Sequence, residues 1–190
     1  MLNGINILDI STLLPGPRAA AKLSELGANV TKIEPIGGDP LKNFPAQYIG
    51  QLYKTLNHDK KIFELDLIHD REKVLEIVSC SDVVISNFRP GFLENLNLGF
   101  TDLKKCNPTI IQVNLVAYKE NDHPGHDLNF LAESGLLSQL PGGLPNLQII
   151  DAMGAMEIVI QVLNALIELQ NSNQAKFIKR MFKRIKFDSL

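Results

Sequence analysis

The first 35 residues contain the pattern that most restricts the fold: a strand, a helix and a second strand in succession. Residues 5–10 are a short apolar run, which is typical of a buried strand, and we predict a second strand at residues 30–33. Between them, Pro17 suits the first position of a helix, and Gly27 suits the left-handed residue that ends one. A helix that connects two such strands places them parallel in one sheet, with a right-handed crossover.

The same alternation of strand and helix signals continues along the chain. We predict further strands at residues 62–67, 82–86 and 110–116. We predict helices at residues 70–79 and 154–169, a short helix with a turn within 93–103, and a long loop at 37–51. The fold class predicted from this order is α/β, a Rossmann-like parallel sheet flanked by helices.

Composition and charge are those of a soluble domain: 190 residues, 45% hydrophobic, 21% charged and a net charge of -2. So small a charge gives no electrostatic argument for nucleic acid as a partner. Cys80 and Cys106 have no paired motif, so we expect buried thiols in a reducing compartment and no metal site. No apolar run reaches the ~18 residues of a membrane span, and the N-terminus does not resemble a signal peptide. We therefore predict a cytoplasmic protein.

The first strand–helix–strand unit raises the alternative of a dinucleotide site, with Glu34 binding a ribose. The loop at residues 11–17 lacks Gly-x-Gly-x-x-Gly, and its prolines block close approach of the backbone to a pyrophosphate. Nicotinamide binding is therefore disfavoured.

Three groups able to transfer protons lie between residues 125 and 151, namely His126, Asp127 and Asp151. A loop rich in Gly and Pro separates them, so the chain can fold back and bring both ends together. A His and a carboxylate on either side of one carbon can carry out general acid–base catalysis. Helix capping by the same residues is the alternative, and spacing alone favours it.

Three cations follow or precede predicted strands: Lys60, Lys61 and Arg89. If they share one rim of the sheet, they can bind an anionic ligand such as a nucleotide phosphate. Without other support, scattered surface cations are the favoured interpretation.

An ordered set of motifs resembles CoA-transferase family III, and within it the α-methylacyl-CoA racemase branch most closely. The matching pieces are Pro15-Gly16-Pro17, Leu26-Gly27-Ala28, Glu34-Pro35, Asn57-x-x-Lys60, Asn87-Phe88-Arg89-Pro90-Gly91, Leu98-Gly99, Asn107-Pro108 and Gly125-His126-Asp127-Leu128-Asn129, followed by Asp151. The resemblance covers residues 1–168 and implies the Rossmann-like large domain of that family, without its C-terminal half.

The resemblance implies binding of the CoA part of an acyl-CoA thioester. CoA is then part of the substrate, and no tightly bound cofactor or metal is expected. The positions that correspond to CoA-contacting residues are Leu13, Leu14, Pro15, Lys60, Asn87, Phe88 and Arg89.

The resemblance also implies the chemistry. In transferases of the family the aspartate aligned with Asp151 carries the acyl group and then CoA. In racemases it transfers a proton, and His126 is the second base, oriented by Asp127. Because Gly-His-Asp is typical of racemases, our first hypothesis is an enzyme that epimerises 2-methylacyl-CoA thioesters by two-base proton transfer. The alternatives are CoA transfer between carboxylic acids through Asp151, and a truncated, non-catalytic remnant.

Three departures from the family pattern stand out. Residues 117–122 replace a glycine-rich segment, Pro35 replaces an arginine, and the chain is about half the family's length. Since family members form interlocked dimers, we predict a homodimer or a complementing second-half chain, and an apolar surface left without its partner.

Residues 169–190 form a basic tail beyond the domain at 1–168. Its apolar residues fall on one helical face: Phe177, Ile178, Met181, Phe182 and Ile185. A solvated or partner-packed helix, or non-native sequence left by truncation, is favoured over contact with an anionic membrane or nucleic acid.

Overall fold

The computed structural model describes residues 1–43, 47–118, 125–142, 144–172 and 174–181. Most of the segment that replaces the family's glycine-rich stretch, and residues 182–190 of the tail, lie outside the described residues.

One parallel sheet contains the six strands found in the described ranges, in the order β3-β2-β1-β4-β5-β6. The strands are β1 Asn6–Asp9, β2 Asn29–Glu34, β3 Lys61–Glu64, β4 Val83–Ser86, β5 Ile111–Val116 and β6 Lys176–Met181. In the centre, Ile7 pairs with Val30 of β2 and with Val83 of β4. The predicted fold class is confirmed.

Helices cover both faces of this sheet. They are α1 Pro15–Glu25, α2 Gln47–Asn57, α3 Arg71–Ser79, α4 Phe92–Asn95, α5 Phe100–Cys106, α6 Asp127–Glu133 and α7 Ile149–Ser172. Successive side chains of a strand point to opposite faces, so Ile7 packs in the core beneath α1 and α7 while Leu8 packs beneath α3 and α5. Burial on both faces explains the apolar run of β4 in the centre, whereas the edge strand β3 is exposed along its length.

The long loop predicted at 37–51 is wrong in two places. A short 3-10 helix at Pro40–Asn43 and the start of α2 occupy it. Leu56 of α2 is buried against Leu14 and Leu41, a small core separate from the two large ones. The sequence does contain a helical pattern here, since Ile49, Leu52 and Leu56 recur at helical spacing, but the turn residues Gly37 and Gly38 directed the interpretation to a loop.

The helix predicted for the tail is wrong at residues 176–181, which form β6 parallel to β5. Ile178 is buried in the core, and Phe177 on the other face stacks on Phe100 with 5.5 Å between ring centroids. Short runs with mixed apolar spacing fit a helix or a strand, and here pairing with β5 decides. This segment is therefore part of the sheet.

By length and composition alone, α7 could cross a membrane, with a mean hydropathy of 1.6 in its best window within Ile149–Asn171. This corrects the expectation that no segment reaches such a length. It is weak evidence for a span, because 44% of that window is buried inside the protein and core helices pass the same test.

The two cysteines are exposed, not buried as predicted. Cys80 follows the last turn of α3, and Cys106 is the last residue of α5. Both cysteines thus lie at helix ends, which face solvent more often than helix centres. The absence of a cysteine motif in the sequence gave no indication of this position. In the described part of the chain no group of His, Cys, Asp and Glu is arranged to hold a metal ion.

Candidate functional site at the carboxyl edge of the sheet

The carboxyl ends of the parallel strands share one edge, where open α/β sheets bind their ligands. Helix α1 starts at this edge because it follows β1. Helix α7 also starts there, because it leads back into β6, which is parallel to the other strands. The first turns of both helices therefore lie at the same edge, and the two helices pack against each other.

Asp127 and Asp151 meet at this edge. Asp127 is the first residue of α6 and is buried, with 8% of its surface exposed. Its Oδ1 accepts a hydrogen bond of 2.8 Å from the backbone N–H of Asp151, 24 residues away. The fold-back that the loop composition allowed therefore takes place, and Asp127 fixes the backbone at the start of α7.

Asp151 lies in the first turn of α7 and is half-buried. Burial, followed by the negative charge of Asp127, raises its pKa from 3.8 to about 7. The cation that opposes this pKa shift is Arg18, an exposed residue in the first turn of α1. At neutral pH this carboxyl group is thus poised between its two protonation states.

His126 occupies the N-cap position of α6, with an extended backbone. Its backbone N–H donates to Oδ1 of Asn129 at 3.0 Å, and its side chain is exposed. The capping alternative is thus supported for the place of His126, but it is wrong for the aspartates. Asp127 begins α6 and its side chain caps α7, whereas Asp151 lies inside the first turn of α7. Neither role prevents a chemical one.

The first loop, residues 11–17, contains three of the predicted CoA-contacting residues. Leu13 has a φ of 64°, Leu14 is buried, and Pro15 begins α1. The side chain of Asn87 holds this loop from the β4 side. Its Oδ1 accepts from the N–H of Thr12 at 3.0 Å, and its Nδ2 donates to the Thr12 carbonyl at 2.8 Å.

Lys60 is buried beneath this loop. Its Nζ donates to Oδ2 of Asp9 at 2.9 Å and to the carbonyl of Pro17 at 2.8 Å. The other two candidate cations lie at opposite ends of their strands: Lys61 begins β3, whereas Arg89 follows β4. The hypothesis that all three share one rim is therefore wrong.

An apolar cavity of about 350 Å³ opens at the ends of β1 to β4. Phe88 lines it and stacks on Phe92, with 4.6 Å between ring centroids. Pro35, which stands where the family pattern has arginine, lines it as well. Arg89 is exposed in the loop directly after Phe88. The cavity thus combines an aromatic wall with a nearby cation.

Two features of this edge escaped the sequence analysis. Arg18 lies beside Asp151 because α1 packs against α7, and this contact between distant segments leaves no pattern in the sequence. The buried charges of Asp9 and Lys32 had a partial signal, since both lie in predicted strands, but the signal does not name their partners.

The family profile described as CoA-transferase family III matches residues 2–182. Together with the parallel sheet and the paired aspartates at its edge, this match defines the class: the chain belongs to CoA-transferase family III.

Among characterised relatives, a protein from Mycobacterium tuberculosis named probable fatty acyl-CoA transferase is 31% identical over 94% of this chain. The beta subunit of succinyl-CoA--L-malate CoA-transferase from Chloroflexus aurantiacus is 33% identical over 93%. The chain spans about half the length of these relatives, 49% and 48% respectively.

Solved structures agree with the observed fold. A crystal structure of the M. tuberculosis protein superposes with a TM-score of 0.84 at 30% identity, covering 97% of this chain and 54% of its own. A CAIB/BAIF family protein from Brucella suis superposes with a TM-score of 0.88, covering 96% and 53%. At 24% identity, the second likeness supports the fold alone.

Proposed function

We propose that this chain supplies the CoA-binding edge and the catalytic aspartate of an acyl-CoA transferase, with Asp151 as the acyl carrier. The observation that carries the proposal is the state of Asp151: half-buried, fixed through its backbone by Asp127, and with a pKa raised to about 7. A carboxylate of raised basicity is a better nucleophile towards a thioester than an ordinary surface aspartate.

The proposed reaction starts with attack of the ionised Asp151 on the thioester carbonyl. CoA thiolate leaves, and an acyl–aspartyl anhydride forms. The thiolate then attacks the aspartyl carbonyl, which releases the first acid and leaves an aspartyl–CoA thioester. The carboxylate of a second acid attacks this thioester, and return of the thiolate to the new acyl group frees Asp151.

The apolar cavity supports binding of the CoA nucleotide. A flat base matches an aromatic and aliphatic slot lined by Phe88 and Pro35. Arg89, in the loop after β4, is the cation that we assign to phosphate.

Arg18 favours transfer over epimerisation. Both acids of a transferase must bring a carboxylate to Asp151, and an exposed guanidinium beside that residue stabilises such a group. The printed names of the relatives, which include fatty acyl-CoA and succinyl-CoA transferases, agree with an acyl-CoA substrate without naming its acyl group.

Epimerisation of a 2-methylacyl-CoA, our first hypothesis from the sequence, is now the second candidate. The observation in its favour is the pKa of Asp151 near 7, which suits proton transfer, together with His126 at the start of the neighbouring helix. The comparisons support the family without supporting this branch.

We further propose that catalysis needs a second polypeptide segment, from another copy or from a complementing chain. The chain spans half of its relatives' length, and one relative is itself named as a subunit. One face of α7 presents an exposed apolar stripe suited to such a segment: Met153, Met156, Ile160 and Ile167.

A paired assay separates the candidates. The chain is mixed with a polypeptide that corresponds to the second half of the M. tuberculosis relative, and CoA transfer between acids and α-deuterium exchange are measured together. A transferase loses all transfer with Asp151→Asn and tolerates His126→Ala. A racemase exchanges the α-proton, and each of the two variants impairs one epimer more than the other. Absence of both activities favours the non-catalytic alternative.

A further inference from the structure

We propose that Lys60 is a positioning residue and not a phosphate ligand: with Asp9, Lys32 and Asp39 it forms a buried, charge-balanced cluster that holds the first loop in its binding conformation. This cluster, called the four-charge cluster below, lies beneath residues 11–17. The inference deepens the proposed function, because it assigns a role to the loop that the CoA site requires.

The four-charge cluster is completely enclosed. The side chains of Asp9 and Lys32 have no exposed surface, and those of Asp39 and Lys60 are each 1% exposed. Nζ of Lys60 lies 2.9 Å from Oδ2 of Asp9, and Nζ of Lys32 lies 3.1 Å from Oδ2 of Asp39. Lys32 also faces Asp9 at 3.8 Å, which joins the two pairs.

Two carboxylates and two amines make the cluster neutral as a whole. Burial pushes the pKa of Asp9 upwards, but Lys32, Lys60 and the hydrogen bonds from Ser11 and Lys60 hold it below its ordinary value. Burial lowers the pKa of Lys60, against the attraction of Asp9. Removing one member therefore leaves an uncompensated charge in the interior, which is costly.

Each member of the cluster also bonds to the backbone of the first loop or of the α1 turn that follows. Lys32 donates to the carbonyl of Ser11 at 2.7 Å, and Asp9 accepts from the N–H of Ser11 at 3.0 Å. Asp39 accepts from the N–H of Leu13 at 3.2 Å through Oδ1. Lys60 donates to the carbonyl of Pro17 at 2.8 Å.

These hydrogen bonds hold the first loop in a backbone conformation that is unfavourable by itself. Leu13 adopts a left-handed backbone conformation with a φ of 64°, which a side chain with a Cβ disfavours. Gly16 lies so close to Ser11 that a Cβ on Gly16 would overlap the Ser11 side chain. The loop is thus fixed by surrounding charges in a shape that it would not adopt by itself.

The geometry opposes direct contact between Lys60 and phosphate. Its amino group already donates to Asp9 and to the Pro17 carbonyl, and it faces the interior. Reaching a ligand would break the pair with Asp9 and leave that carboxylate buried beside Lys32 alone. Breaking such a pair is costly, because it leaves a buried charge without its partner.

The test combines single and double variants with two ligands. CoA and 3′-dephospho-CoA are titrated calorimetrically against the parent chain, Lys60→Met, Lys60→Met with Asp9→Asn, and Lys61→Met. The last variant is the matched control, since it removes an exposed lysine at the other edge of the sheet. The double variant removes one charge of each sign and leaves the Lys32–Asp39 pair neutral.

A positioning role predicts that Lys60→Met weakens both ligands by the same factor, about tenfold or more, which corresponds to about 1.4 kcal/mol. The double variant should regain most of that loss, and Lys61→Met should bind as the parent does. A phosphate contact predicts instead that the advantage of CoA over dephospho-CoA disappears in Lys60→Met, or that the double variant binds no better than the single one. Either result overturns the proposal.

Hydrogen exchange of the ligand-free protein tests the cluster independently of CoA. The amides of Ser11 and Leu13 should exchange faster in Lys60→Met and return towards the parent rate in the double variant. If the parent binds no CoA but this pattern appears, the proposed function fails and the cluster's role stands. Unchanged exchange in Lys60→Met contradicts the inference. If Lys60→Met does not fold but the double variant does, the inference is supported. If neither variant folds, the inference is overturned.

Discussion

The first loop and the start of α7 lie at the same edge of the sheet but differ in how their charged residues are neutralised. Beneath the loop, Asp9 and Lys60 are fully enclosed, and each has a partner of opposite sign within 2.9 Å. At the start of α7, Asp151 is half-buried beside another carboxylate, and its pKa rises to about 7. Paired charges give rigidity, whereas an incompletely compensated carboxyl gives reactivity.

The largest expected effect comes from breaking the paired side of this comparison. Lys32→Met removes the donor to the Ser11 carbonyl and leaves Asp39 without its ion-pair partner. We expect a loss of about 3–5 kcal/mol in the free energy of unfolding, measured by urea denaturation. Lys22→Met, which removes the exposed pair with Glu25, is the control and should lose far less. Equal losses of stability in Lys32→Met and Lys22→Met would show that the buried ion pairs stabilise the protein no more than an exposed pair does.

The second prediction concerns the reactive side. Since the folded-state pKa of Asp151 is raised above 3.8 to about 7, the folded protein binds a proton that the unfolded chain has released between these values. Stability from this group is therefore present below about pH 4 and is lost as pH rises through about 7. Asp151→Asn should flatten that decline and unfold roughly 1–3 kcal/mol less readily at neutral pH.

Denaturation of the parent and Asp151→Asn over a pH series checks this, with Asp102→Asn, an aspartate on α5, as the control for loss of one carboxyl. If the free energy of unfolding changes between pH 4 and 7 by the same amount in the parent as in Asp151→Asn, the pKa of Asp151 is not raised.

A smaller effect should appear in the pKa of Asp151 itself. Asp127→Asn keeps an oxygen for the Asp151 N–H but removes a negative charge, so it should lower that pKa. Arg18→Gln removes the opposing positive charge and should raise it. Carbon-detected NMR titration of the Asp151 carboxyl measures both. An unchanged pKa in both variants would mean that burial alone controls the group.

The smallest effect is expected where no charge is involved. Ile160 is 56% exposed on α7, so Ile160→Ser should change stability by no more than about 0.5 kcal/mol. If a second segment covers this face, the same substitution should weaken its association in sedimentation experiments. Val162→Ser, on the buried face of the helix, is the contrast and should destabilise the chain itself.

The sequence predicted two of the central strands well because β-branched residues, which favour strands, are frequent in both. The runs at 30–33 and 82–86 match β2 and β4 within a residue or two. Gly27 has the predicted left-handed backbone, with a φ of 101°. These signals are local, and local patterning is what a single sequence records.

The remaining features depend on contacts between distant residues. β6 becomes a strand because β5 offers it a partner, although its spacing fits a helix equally well. The raised pKa of Asp151 requires Asp127 from another helix. In the sequence, Lys60 is one of three similar candidate cations. Only the structure, in which it is buried against Asp9, distinguishes it from its exposed neighbour Lys61.

The position of β1 in the middle of the sheet has a consequence for how the chain is made. This strand is synthesised before β4, yet β4 is one of its two neighbours, and the hydrogen bond from the Asn6 N–H to the Asp82 side chain spans 76 residues. Until β4 emerges, one side of this largely buried strand has unpaired backbone groups. Sequence-distant pairing of this kind slows folding and exposes apolar edges meanwhile. Nascent chains that end before β4 should therefore need the protection of chaperones.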